Sequence, residues 1–197
     1  MEYPKFFDNI ESITIRDDLS AFLGTFKDGT IEFKYLDIVK SAGHSCPTVA
    51  GAYIATREAL KRLYGDEIPK RGEIRVDFRE PQTEGVIGVI AQVITNITGA
   101  TSDFGFKGIN GKFNRTGLLF FSQDIDSEIK FTRLDTKESV LIDYNPKSIK
   151  SDPKQMELFQ KIAHGLATAK ELAEFGELWQ NRVERIFKNI DTVLTIR

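Results

Sequence analysis

PTVAGAYIATREALKRLY, residues 47–64, decides the fold class. Val49, Ala52, Tyr53, Thr56, Ala59, Leu60 and Leu63 recur at three- and four-residue spacing, the signature of one buried helix face. Pro47 suits the first helical position, where a missing N–H costs nothing, and Gly65 supplies a stop. Arg57, Glu58, Lys61 and Arg62 form the expected wet side. Beyond the helix, Glu73 to Arg79 alternates Ile74, Val76 and Phe78 with charged residues and reads as a strand. Arg75, Asp77, Arg79 and Glu80 are then its expected solvated side.

Reading toward the N-terminus, Leu36 to Ala42 is a short helix, and Ile31 to Tyr35 and Ser12 to Arg16 are strands. Toward the C-terminus, Val86 to Ile97 is rich in β-branched residues, which favour strand. The spacing of Val86, Ile90, Val93 and Ile97 holds for three turns, so a helix is expected. Residues 98–117 form a glycine-rich loop. Gly117 to Gln123, Glu128 to Leu134 and Ser139 to Tyr144 read as a three-stranded antiparallel meander. After a polar linker, Asp152-Pro153 places an N-cap before proline and opens a helix to about His164, a histidine suited to a helix C-terminus. Thr168 and Glu171 have capping-box spacing and open a helix of about five turns. Its stripe of Leu172, Phe175, Trp179, Val183, Ile186, Phe187 and Ile190 is expected to be core or a dimer contact. The whole reads as α+β: a mixed or antiparallel sheet packed with helices over residues 1–145, then a helical C-terminal extension over residues 146–197.

Composition narrows the function. The chain of 197 residues has a net charge of −2, so no basic excess screens phosphates and nucleic-acid binding is not expected. No apolar run approaches the ~18–20 residues that span a bilayer, and the N-terminus lacks a signal-peptide layout. The single cysteine cannot form an internal disulfide, which fits a reducing compartment. A cytoplasmic protein is expected.

That cysteine stands in Gly43-His44-Ser45-Cys46-Pro47, two residues from one of only two histidines. Helix N-termini favour anions, so Cys46 is a candidate thiolate. A thiolate and an imidazole are half of a tetrahedral zinc site, the rest coming from the chain, a partner subunit, or water and substrate. His44 and Cys46 are therefore the candidate catalytic and metal-ligating pair.

With Ala50-Gly51-Ala52-Tyr53 behind it, this turn resembles the start of the core in the formylmethanofuran dehydrogenase E-subunit family, a Gly-His-x-Cys-Pro turn leading into a helix. Thr98-Gly99-Ala100-Thr101 resembles that family's Thr-Gly-Cys-Thr turn. The resemblance covers about residues 36–141 and implies an α+β core, a homodimer and a bound metal, usually zinc. Its Cys-x-x-Asp pair falls on Val89 and Gln92 here, and its turn cysteine on Ala100, so thiol-pair and iron–sulfur chemistry is excluded.

In the loop, glycines let backbone N–H groups approach a ligand, while hydroxyls and lysines suit a carboxylate or phosphate. Gln92, Thr98, Thr101, Asp103 and Lys112 are the candidate ligand-binding residues. Asp103 is also the nearest carboxylate to complete a metal site or act as a base. The functional expectation is a zinc-binding protein, or an enzyme acting on a small anionic molecule. The alternatives are a non-catalytic metal- or ligand-binding module of a redox enzyme, and a structural dimer with a decayed site.

Overall fold

A computed structural model describes residues 2–197. It is α+β, with seven α-helices and two sheets among the described residues. Strands β1 (Ile13–Arg16) and β2 (Thr30–Phe33) form an antiparallel pair with Ile13 opposite Phe33, and the short helix α1 (Asp18–Phe22) lies between them in sequence. Helices α2 (Tyr35–Ala42) and α3 (Pro47–Tyr64) follow, then β3 (Ile74–Phe78), α4 (Ile87–Thr98) and β4 (Leu119–Phe120). The remaining elements are β5 (Ile129–Arg133), β6 (Ser139–Tyr144), α5 (Pro153–Ala163), α6 (Ala169–Lys188), α7 (Ile190–Val193) and β7 (Leu194–Ile196).

Helix α3 is the axis of the core. Its expected face is buried, and so are Ala50, Gly51, Ile54 and Ala55 behind it, because α2, α4, α6 and β6 pack around it. Arg57 does not lie on the wet side. It is 6% exposed and reaches Glu58 at 2.7 Å, whereas Lys61 and Arg62 are exposed. Helix α4 forms as the periodicity predicts, and Gly99 ends it in a left-handed conformation that only glycine adopts without strain.

The main sheet runs β4-β3-β5-β6-β7, so the expected meander is corrected. β5 and β6 are antiparallel neighbours, but β4 pairs parallel with β3, and β3 stands between β4 and β5. The physical reason is the α4 crossover, a connection long enough to bring the chain back parallel to the strand it left. As an interior strand, β3 cannot keep one charged face in water. Asp77 is 4% exposed, and the Arg75 guanidinium donates to both its carboxylate oxygens while lying 4.2 Å over the Phe120 ring.

The helical extension carries both caps that its sequence predicts. Asp152 accepts from Lys154 N–H, and Thr168 and Glu171 cap each other reciprocally. Residues 146–197 do not stand apart from the rest, since α6 packs on α3 and β7 adds an antiparallel edge to β6. No helix among the described residues is long and apolar enough to cross a membrane.

Candidate functional site

Cys46 is the N-cap of α3. Its extended backbone lets the sulfur turn back over the first turn, and Val49 N–H donates to Sγ at 3.4 Å. The thiol is half-buried. Four side chains from outside the turn grip the backbone and hydroxyl around it. Tyr35 Oη and Ser45 Oγ are 2.9 Å apart, and Tyr144 Oη donates to Pro47 O at 2.7 Å. Trp179 Nε1 and Gln180 Nε2 both donate to Ser45 O, at 3.0 and 3.1 Å. Gln180 Oε1 is left buried with no donor among the described residues.

Burial pushes the Tyr35 phenol up. The Ser45 hydroxyl opposes that rise, and the charges of Cys46 and Tyr144 add to it. Tyr144 is also pushed up by burial, with Arg182 opposing and Cys46 adding. Both phenols therefore stay neutral beside the turn, and Tyr144 is a donor to it. His44 is exposed, and its Nδ1 pairs with Ala42 O at 3.0 Å. No hydrogen bond joins His44 to Cys46 among the described residues.

As a zinc centre the donor set is incomplete within one chain. Among the described residues no three His, Cys, Asp or Glu side chains converge. The positions matching the family's second-helix pair, Val89 and Gln92, are both exposed, and Ala100 is sealed in the core.

The predicted loop residues are not drawn together around a ligand. Thr98 is fully buried, donates to Ile94 O and accepts from Ala100 N–H, so it locks the end of α4. Thr101 Oγ1 donates to Arg115 O at 2.6 Å and closes the loop on itself. Gln92 pairs with Asn96 on its own helix at 3.2 Å. Asp103 and Lys112 are exposed, and Lys112 lines a cavity at the far end of the loop.

Sequence reading missed a cleft of about 170 Å³ between α3, α4 and the ends of the strands. Thr48, Gly51, Ala52 and Ala55 of α3 form one wall, and Val86, Ile87 and Ile90 form the other. Arg79, Glu80 and Glu128 stand among its lining, and Tyr144 joins it to the cysteine turn through the bond to Pro47. Cys46 itself does not line it; Thr48, two residues on, does. Its trace in the sequence is a set of small residues in the helix, Ala50-Gly51-Ala52 with Ala55 one turn on, which does not by itself say what lies opposite. No family model matches the chain, and no curated protein matches it.

Proposed function

We propose that the chain binds a small organic molecule in the α3–α4 cleft, as a divergent relative of the formylmethanofuran dehydrogenase E-subunit family. The cleft carries this reading. Its volume is close to the ~150 Å³ that holds a benzene ring in an engineered cavity, and its walls are mostly apolar. One cation and two carboxylates line it (Arg79 against Glu80 and Glu128), so the ligand is one ring or a short chain with an amine-bearing end. The turn resemblance supports the family part of the reading, and the phenol and indole bonds that hold the turn support its use as a fixed element of the site. Saturation-transfer NMR with single-ring amines and single-ring carboxylates tests it. Binding of amines that Thr48→Trp abolishes is the expected result. No binding, or binding indifferent to that substitution, refutes the cleft, and carboxylates binding better refutes the assigned charge.

Zinc on His44 and Cys46 is a second reading. The Ala42 carbonyl can only accept, so Nδ1 carries a proton toward it and Nε2 is the nitrogen left to meet a metal, the arrangement that prepares a ligating histidine. The missing ligands then come from a second copy or from solution. Metal analysis of untagged protein decides: zinc lost in Cys46→Ser supports it, and metal-free protein refutes it. The same reading has two copies meeting through α5 and α6, where Met156, Phe159 and Leu172 are exposed.

A further inference from the structure

The far end of the glycine-rich loop carries Arg115 into a second cavity, of about 320 Å³, which shares no lining residue with the α3–α4 cleft. The Arg115 side chain is 7% exposed, yet among the described residues it spends one N–H on protein, Nη2 to Asp17 Oδ1 at 2.6 Å. Its Nη1 lies over Gly72, where a Cβ would come within 1.6 Å of it, so the absence of a side chain at 72 makes room for the guanidinium.

Asp17 is a heavily shared counterion. Arg71 Nη1 donates to its other oxygen at 3.1 Å, and Leu19 and Ser20 N–H donate to Oδ1 at the start of α1. One buried carboxylate thus serves two arginines. Lys112 lines the same space and has no carboxylate partner among the described residues. Asp18 and Glu73 also line it, but each is drawn to another cation, Arg16 at 2.8 Å and Lys70 at 3.6 Å. Among the lining side chains three cations (Arg71, Lys112, Arg115) meet two carboxylates (Asp18, Glu73), with Asp17 behind the arginines and each lining carboxylate drawn to a cation outside the cavity. Burial lowers the proton affinity of Arg115; Asp17 opposes that shift, and Arg71 adds to it.

We propose that this cavity binds the phosphate group of a small molecule, held by the unused N–H groups of Arg115 with Lys112 at the mouth and Arg71 behind. A guanidinium fork fits two phosphate oxygens at once. A phosphate near pH 7 carries about −1.5 to −2 charges and has oxygens for both Arg115 and Lys112, whereas a carboxylate carries one charge on two oxygens. Arg71 is fastened at its other end, with Nε and Nη2 donating to Ile97 O and Asn96 O, so it contributes charge from a fixed position.

The test is a titration of the full chain with inorganic phosphate at constant ionic strength, following the Arg115 Nε–Hε resonance and the Gly72 amide, with calorimetry for the affinity. We expect a saturable shift at both groups. Kd rises about tenfold or more in Arg115→Gln and several-fold in Lys112→Ala, the latter melting at the wild-type temperature. If Arg115→Gln does not fold, Lys112→Ala and Lys112→Glu decide, with the larger loss in the glutamate variant. Absence of a saturable shift, or affinity unchanged in every folded variant, overturns the proposal. Acetate binding as tightly as phosphate overturns the assignment to phosphate.

Discussion

Tyr53 shows how much one hydroxyl does in this core. Its residue is fully buried, and its Oη lies 2.8 Å from Glu11 O and 3.0 Å from Phe33 O, tying α3 to the chain just before β1 and to the last residue of β2. Tyr53→Phe keeps the ring and leaves carbonyls without their donor. A buried group left unsatisfied costs ~1–3 kcal/mol, and each kcal/mol moves the melting temperature of a chain this size by ~2–4 °C. A drop of that order in a thermal melt is expected; an unchanged melt would mean water replaces the hydroxyl. Glu171 tests the opposite situation, a charge at the surface. The Thr168 N–H bond first, then Lys161 and the Thr168 hydroxyl, hold its carboxyl down to about 2 from an ordinary 4.5. A depressed carboxylate stabilises the fold fully above its unfolded value and loses that contribution as pH falls through its folded value. Between pH 4.5 and about 2 the cap on α6 therefore weakens. Melts of Glu171→Gln across this range are expected to converge on wild type at the acid end; parallel curves would sink the assignment.

At the scale of the element, α3 is where fold and site meet. An interior glycine in an exposed helix costs ~1 kcal/mol against alanine, so Gly51→Ala would ordinarily stabilise. Here the added Cβ would stand 2.2–2.3 Å from the Tyr144 ring. Overpacking costs ~1–3 kcal/mol and wins. The ring must move, which breaks its bond to Pro47 and alters the cleft wall. Gly51→Ala is expected to melt lower than wild type and to loosen the cysteine turn, seen as faster hydrogen exchange at Val49 and Ala50. A higher melting temperature would show that the ring relocates freely. The caps of α3, α5 and α6 were all legible in sequence, because a proline at N1 or a Thr168–Glu171 box acts within one turn. The cleft between α3 and α4 was not, because it belongs to neither helix alone.

For the whole molecule, α5 and α6 both carry exposed apolar side chains. Met156 is 63% exposed, Phe159 53% and Leu172 55%. Stable dimers bury ~1,200–2,000 Å² in total, and two such helix pairs facing each other can supply apolar surface at their centre. Sedimentation velocity is expected to give a dimer that Phe159→Glu converts to a monomer with little change in melting, since exposed substitutions usually cost within ~0.5 kcal/mol. A monomeric wild type would remove the second copy from the zinc reading as well.

The chain's own local pattern settled the five longer helices, α2 to α6, and most of the strands, together with the caps of α3, α5 and α6, but not the short α1 and α7, and it singled out Cys46 and His44 as neighbours two residues apart. Each of those features depends on groups within a turn or two of one another, and the periodicity of side chains records them directly. Tertiary structure alone decided that β3 is an interior strand with Asp77 buried, that β7 returns to the sheet, and that Arg57 faces inward. It alone also brought Asp17 to Arg115, 98 residues away. Strand order and long-range ion pairs follow from how whole elements close on one another, and that closure is set by the summed burial of their faces rather than by any segment's own sequence.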